Sequence, residues 1–172
     1  MTTCRSIIHG MAWAASSVLA GIQPAQAVAP AHVWSERFGG TGYDIAYAAA
    51  VDPGENVYIT GAFEGQVTFD ATTLTSAGNR DMFLVKLAAN GSVVWAIDQG
   101  GLDNEYGLSL AVDGSGNYVY VTGTHYTMPG LTSAGANDIF VASYRASDGI
   151  RVMVKGFGST LGDAGQSIAV TS

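Results

Sequence analysis

The chain has 172 residues, of which 48% are hydrophobic and 12% are charged, so it has ample apolar material for a packed core and lacks the composition of a disordered chain. Acidic residues number 14 against 7 basic ones, and the formal net charge of −7 makes nucleic acids and anionic membrane surfaces poor partners. Glycine accounts for 23 residues, and short runs of β-branched and aromatic residues lie between the glycines. This composition predicts an all-β protein with many tight turns.

The first 27 residues have the layout of a secretory signal peptide. Arg5 precedes an apolar run over residues 6–21, and the small-residue triplet Ala25-Gln26-Ala27 follows it. We expect cleavage after this triplet, a mature chain that begins at Val28, and a location in the periplasm, at the cell surface or outside the cell. An uncleaved anchor is the alternative, but the run is short for a membrane span and includes His9. No membrane span is expected in the mature chain.

The only cysteine, Cys4, lies within this leader. The mature chain is therefore expected to have neither a disulfide bond nor a reactive thiol. Cys4 also precedes the apolar run, whereas a lipid-modified cysteine would follow it.

Three sequence words recur in the same order along the rest of the chain, at intervals of about 60 residues. The first is Phe38-Gly39-Gly40-Thr41, which returns as Gln99-Gly100-Gly101-Leu102 and as Phe157-Gly158-Ser159-Thr160. The second covers residues 56–61 and returns at 117–123, and the third covers residues 74–78 and returns at 131–135. Chance does not produce ordered words at near-constant spacing, so the mature chain is interpreted as a tandem repeat. The first repeat covers about 34–94, the second about 95–152, and a partial third about 153–172.

Each repeat contains four candidate strands separated by turn residues. In the first repeat they cover residues 45–51, 56–60, 82–87 and 92–97. Asp52-Pro53-Gly54-Glu55 joins the first two strands, where Asp, Pro and Gly are expected to supply the turn geometry, and Asn90-Gly91 predicts a hairpin between the last two. The long connection over 62–80 is expected to hold a small extra hairpin around Val67 and Leu74. Each repeat is thus predicted to be a four-stranded antiparallel meander.

The side-chain pattern of these strands predicts how the meanders are arranged. Residues 82–85 and 139–142 are apolar on both faces, as expected for sheets that are covered on both sides. The first strand of each repeat is rich in small residues, Ala46 and Gly107 among them, which suits the innermost strand of a propeller blade. The expected fold is all-β and consists of β-propeller blades.

These words resemble the bacterial seven-bladed β-propeller repeat family (the SBBP-type repeat). The matching residues are Gly39-Gly40, Val51-Asp52, residues 56–61, residues 81–87, and Gly91 with Trp95. The resemblance extends over about Trp34 to Ser172 and implies a β-propeller on a secreted or surface protein, with no general catalytic activity. The second repeat departs from the pattern, because Ser143-Tyr144 stands in place of Lys86-Leu87 and Met153 stands near the place of Trp95.

The number of repeats is smaller than a closed propeller needs. About 60 residues a blade gives the mature chain about two and a half blades, whereas closed propellers have four to eight. We therefore expect an incomplete propeller that is a fragment of a longer one, with self-association into a ring as the alternative. Open blade edges favour self-association in either case.

An acidic residue recurs just after the glycine-rich word of each repeat, as Asp44, Glu105 and Asp163. A ring of carboxylates at a propeller mouth is able to bind a cation such as Ca²⁺, but two or three blades supply only part of such a ring. These three residues are candidates for a loop-mouth cation site, while capping of a turn is the favoured interpretation, and no metal site is assigned. Asp81 and Asp138 also recur, each just before a strand, and capping is favoured for them as well.

The other motifs give no catalytic residue and no cofactor. Asp52-x-Gly54-x-Asn56 resembles the start of a calcium loop but lacks its downstream acidic ligand, so a hairpin turn is the better interpretation. His32 and His125 have no partner at metal-ligand spacing. The serines lack the Gly-x-Ser-x-Gly elbow of a nucleophile, and no helix is expected after the glycine pairs, as a phosphate-binding loop would require.

Two functional classes remain. The favoured one is a non-catalytic module outside the cytoplasm that acts in recognition or as a scaffold and binds a protein or glycan ligand with its loops. The alternative is an enzymatic or quinone-cofactor propeller, because residues 91–95 are similar to the Gly-x-x-x-Trp motif of quinoprotein blades. The tryptophan of that motif is structural, since it docks between blades.

Overall fold

The structure, a computed structural model, describes residues 32–171, which form two antiparallel β-sheets and no helix. The strands are β1 (Gly39–Gly40), β2 (Asp44–Val51), β3 (Val57–Phe69), β4 (Thr72–Leu87), β5 (Val93–Gln99), β6 (Tyr106–Val112), β7 (Tyr118–His125), β8 (Asp138–Arg145) and β9 (Arg151–Phe157). The predicted all-β class is confirmed, and neither sheet closes on itself. Within this part of the chain no helix is available to cross a membrane. The predicted signal peptide and its cleavage site before Val28 lie outside the described residues.

The first sheet is a meander in which β2, β3, β4 and β5 pair in chain order. Beyond the meander β3 and β4 continue as a hairpin in which Val67 lies opposite Leu74, and β1 pairs with its outer edge. The small extra hairpin predicted from the sequence is therefore confirmed. Both strands are longer than predicted, because Gly65 does not end β3 but forms a bulge in it with φ +73°.

The second sheet is a meander of β6, β7, β8 and β9 with the same order and antiparallel pairing. The first strands of the two meanders break register at the same place, between Ala46 and Ala48 in β2 and between Gly107 and Ser109 in β6. A loop over residues 126–137 replaces the long hairpin of the first sheet. The two predicted meanders are both present, and the repeated words lie at corresponding positions in them.

The turn between β2 and β3 differs from the prediction in the residue that adopts a positive φ. Glu55, not Gly54, has φ +63°, and Gly116 has φ +70° at the corresponding place between β6 and β7. Asp52 holds the turn, because its Oδ1 accepts hydrogen bonds from the backbone N–H of Gly54 (2.8 Å) and of Asn56 (2.9 Å). The acidic side chain and its bonds to the backbone thus define the turn, while the left-handed position tolerates Glu or Gly.

The core consists of two clusters on the two faces of the first sheet. Met82 and Leu84 pack between the sheets in one cluster, together with Val121 and Phe140 of the second sheet. Phe83 and Val85 belong to the other cluster, which the extra hairpin and Trp34 cover. All four residues of 82–85 are at most 5% exposed, so both faces of β4 are covered, as its two-sided apolar sequence predicts.

Residues 158–171 form no strand and belong to neither sheet. They lie against the second sheet, where the backbone N–H of Asp163 donates to the carbonyl of Asn137 at 2.7 Å. Glu105 makes the same bond to Arg80 of the first sheet, also at 2.7 Å. The segment therefore packs on the second sheet as the start of β6 packs on the first.

Candidate functional site

The three recurring loop acids each cap their own glycine-rich loop. Asp44, Glu105 and Asp163 accept a hydrogen bond from the backbone N–H four residues earlier, at 2.7, 2.8 and 2.7 Å. Glu105 is completely buried and also accepts from the backbone N–H of Tyr126 and Thr127. The three carboxylates lie in different loops, and residues 32–171 contain no cluster of three His, Cys, Asp or Glu side chains arranged for a metal ion.

Asp138 begins β8 and caps the loop before it, as predicted, whereas Asp81 lies inside β4 and not before a strand as predicted. Each accepts a hydrogen bond from the backbone N–H four residues earlier, from Ala77 at 3.0 Å and from Ala134 at 2.7 Å. The carboxyl of Asp81 lies so close to Gly100 that a Cβ added there would come within 2.1 Å of Asp81 Cγ. The glycine of the recurring word is therefore needed to make room for the buried acid.

The two histidines within residues 32–171 lie apart from any ligand cluster. His125 ends β7, lies opposite Asp138 in β8 and is fully buried. Neither of its ring nitrogens has a hydrogen-bond partner among the described residues, and burial lowers the pKa of its imidazole against the opposing effect of the nearby Asp138 and Glu105. The first sheet has Phe63 at this position, opposite Asp81, so His125 serves as a neutral packing residue. His32 is exposed.

A groove of about 500 Å³ lies between the two sheets at the end of the molecule where the short hairpin turns lie. We call it the turn-end groove. Its principal lining residues are Asp52, Asn56, Lys86, Asn117, Tyr118 and Ser147. Its volume falls within the range of small-molecule sites in proteins.

Lys86 and Asp52 form the charged floor of the turn-end groove. The Lys86 Nζ donates to the carbonyl of Ala146 at 3.0 Å, and it lies 4.0 Å from Asp52 Oδ2 and 5.2 Å from the centre of the Tyr58 ring. Burial acts to raise the pKa of Asp52, but hydrogen bonds from Asn56, Tyr58 and Gly54 outweigh it and lower the pKa. The two charges compensate each other, so the floor carries no unpaired ion.

The rim of the turn-end groove offers neutral polar groups. Arg145, its other cation, binds Asp148 through a 2.6 Å ion pair. The remaining polar side chains include the amide of Asn117 and the hydroxyl groups of Ser115 and Ser147, and no nucleophile and base lie together among the lining residues. The groove is suited to binding a polar ligand.

Two tryptophans make the same contact with successive turns. In each case the indole N–H donates to a turn carbonyl, and the ring covers a glycine with positive φ in that turn. The residues are Trp34 with Ala89 (2.9 Å) and Gly91, and Trp95 with Ala146 (3.2 Å) and Gly149. Trp95 lies in the outer strand β5, as predicted, whereas Trp34 makes the equivalent contact from outside a strand. Trp95 therefore links the two sheets.

Four tyrosines cluster at the opposite end of the molecule, where the longer loops lie, and the sequence predictions did not include them. Tyr47 and Tyr106 meet edge to face with their ring centres 6.3 Å apart. The Arg80 guanidinium lies 4.1 Å from the centre of the Tyr43 ring and donates to the Tyr106 hydroxyl at 3.3 Å. Tyr126 lines a cavity beside Tyr106. These tyrosines have no aromatic counterparts in the other repeats, and that departure from the repeat is the sequence feature that distinguishes them.

No protein-family model matches the chain, and no curated protein matches it either.

Proposed function

We propose that this chain is a non-catalytic recognition or scaffold module of the β-propeller type that acts outside the cytoplasm. The bacterial seven-bladed β-propeller repeat pattern and the leader-like first 27 residues point to this class. Their structural support is the correspondence of the two meanders, which share strand order, the register break in the innermost strand and the packing of one sheet on the next.

The spacing of consecutive innermost strands supports a blade arrangement. A Cβ added to Gly107 of β6 would lie 2.1 Å from Thr60 Oγ1 of the first sheet. A Cβ added to Gly165 would lie 2.1 Å from Thr122 Oγ1 of the second sheet. Each step along the chain therefore places a glycine of the next innermost strand against a threonine of the preceding sheet, which is the close approach expected near a propeller axis.

The turn-end groove is the observation that carries the binding role. It lies between consecutive meanders, it is lined by the turns of both, and its charged floor is already neutralised by the Lys86 and Asp52 pair. The quinoprotein-like residues 91–95 add no support for a cofactor, because Trp95 is engaged with Ala146 and Gly149 in docking the sheets, which is a structural role. We therefore place ligand recognition in this groove.

Arrays of glycans and of surface-protein peptides, probed with the labelled chain, test the proposal. Ser147→Arg fills the groove, and Ala71→Arg in the exposed β3–β4 turn is the matched control with the same change in charge. We expect at least one ligand on the arrays whose binding Ser147→Arg abolishes and Ala71→Arg leaves unchanged. Turnover of a bound ligand, or the absorbance of a quinone in the purified protein, would contradict the non-catalytic role.

A further inference from the structure

We infer that the end at which the longer loops lie, which we call the loop end, carries a second ligand site. This site binds a neutral saccharide between Tyr106 and Tyr126 with the help of the Asn104 amide. This site lies away from the turn-end groove and does not depend on the function proposed for that groove. It consists of a cavity of about 320 Å³ lined by Asn104, Tyr106, Thr124, Tyr126 and Asn137. That volume is at the lower end of the range found for small-ligand sites.

The tyrosines of this cavity are not required by the fold. Ile45 of the first repeat lies where the second has Tyr106, and Glu64 lies where the second has Tyr126. Both repeats form the same meander with either residue, so the sheet does not specify an aromatic side chain at these places. Tyr126 is 41% exposed in a loop, where a large aromatic ring gains little from burial within the chain. Residues that depart from a structural repeat and stay exposed are those expected to contact a ligand.

A bulge extends the aromatic surface beyond the cavity. Tyr47 is the extra residue at the register break of β2, and a bulge of this kind redirects a side chain. It lies against Tyr106, and like Tyr43 it remains about two-fifths exposed. The cavity therefore opens beside a surface of tyrosine rings, which provide contact area at a low cost in side-chain entropy.

The polar groups at the cavity favour an uncharged ligand. The positive charge of Arg80 is balanced by a cation–π contact with the Tyr43 ring and by an ion pair with Glu64, whose Oε2 lies 3.5 Å from Arg80 Nε. Because Arg80 and Glu64 balance each other, neither offers an unpaired charge to an ionic ligand, and the net charge of −7 disfavours an anionic one. The asparagine amides and the Thr124 hydroxyl both donate and accept hydrogen bonds, which matches the hydroxyl groups of a sugar. The apolar C–H faces of a sugar ring match the tyrosine rings.

Isothermal titration calorimetry of the full chain with maltotriose, cellotriose and chitotriose tests the inference, with trigalacturonate as the acidic comparison. We expect at least one neutral trisaccharide to bind in preference to trigalacturonate. Tyr126→Ala and Asn104→Ala should each weaken its binding at least tenfold. Val152→Ala is the control for loss of an exposed apolar side chain, because Val152 is 57% exposed in β9 and lines neither cavity, and this variant should bind as the unmodified chain does.

Three results would overturn the inference. The first is the absence of binding by all three neutral trisaccharides, or binding of trigalacturonate alone. The second is unchanged binding by both Tyr126→Ala and Asn104→Ala variants whose circular dichroism shows that they are folded. The third is loss of saccharide binding in Tyr118→Ala with retention in Tyr126→Ala, which would place the saccharide in the turn-end groove and leave the proposed function standing.

Discussion

Asp81 shows how a residue used as a turn cap reduces stability at neutral pH. Burial raises the pKa of its carboxyl to about 6, helped by the nearby Glu105, although the hydrogen bond from Ala77 acts in the opposite direction. Because the folded chain binds this proton more tightly than the unfolded chain does, the associated stability is fully present below about pH 4. It is lost as the pH rises through about 6.

Asp81→Asn is expected to remove this pH dependence. The asparagine oxygen still accepts the hydrogen bond from Ala77, while the buried charge that forms above pH 6 is gone. We expect the free energy of unfolding of the variant, relative to the unmodified chain, to rise between pH 4 and pH 7 by about 1–3 kcal/mol. Urea denaturation at pH 4, 5, 6 and 7 measures this difference.

Asp113→Asn is the control for this titration, because its pKa shift has the opposite sign. Hydrogen bonds, the strongest from Ser115, lower the pKa of Asp113, so its contribution to stability is present above the unfolded pKa and is lost as the pH falls. Its replacement should therefore reduce stability more at pH 7 than at pH 4. A difference for Asp81→Asn that stays constant from pH 4 to pH 7 would contradict the assigned shift.

Strand β5 contacts the second sheet through Trp95 and through Gln99, whose Oε1 accepts a hydrogen bond from Arg151 at 2.7 Å. Trp95 bonds to the carbonyl of Ala146 and covers Gly149, and its ring lies 6.0 Å from that of Tyr58. The contact combines apolar burial with a satisfied indole N–H, which is how a partly buried tryptophan is best accommodated. The outer strand of one meander is thereby fixed on a turn of the next.

Removal of this contact should destabilise the chain in two separable steps. Trp95→Phe loses the hydrogen bond and should cost about 1 kcal/mol. Trp95→Ala also loses the packing and should cost about 3 kcal/mol. Val94→Ala is the control, since Val94 is 50% exposed in the same strand and should change the free energy of unfolding by less than about 0.5 kcal/mol. Equal effects of Trp95→Ala and Val94→Ala in chemical denaturation would show that Trp95 does not link the sheets.

In the described part of the chain, the apolar faces of the sheets are better buried than the strand edges are paired. Residues 82–85, which on two blades alone we would expect to be covered on one side only, are buried on both faces of β4. The segment 163–171, in contrast, forms no strand ladder with a neighbour among the described residues, although the backbone N–H groups of Asp163, Gly165 and Ile168 bond to the second meander. Unpaired backbone groups of this kind favour pairing with another chain.

We expect the chain to self-associate through residues 163–171. Ala169→Lys puts a charge on the unpaired segment and should lower the mass measured by light scattering. Ala71→Lys adds the same charge at an exposed turn of the first sheet and should leave the mass unchanged. A monodisperse monomer formed by the unmodified chain would show that the unpaired segment is tolerated, and it would remove support for an incomplete propeller.

The sequence by itself determined the features that depend on neighbours along the chain. The alternation of β-branched residues predicted the strands of both meanders, and Val67 and Leu74 predicted the extra hairpin. The capping role of Asp138 followed from its place before a strand, because its carboxyl reaches a backbone N–H only four residues away, and Asp81 makes the same local bond from within β4. Such interactions lie within one turn or one hairpin, so the local pattern encodes them.

Only the tertiary structure decided which distant segments meet. The glycine covered by Trp95 belongs to a turn of the other sheet, and the tyrosines of the loop end come from separate strands and loops. The positive φ of Glu55 and the continuation of β3 through the bulge at Gly65 were likewise not evident from local propensity. In each case packing and hydrogen bonding over the whole unit outweigh a local preference of about 1 kcal/mol, so the sequence pattern alone does not reveal the outcome.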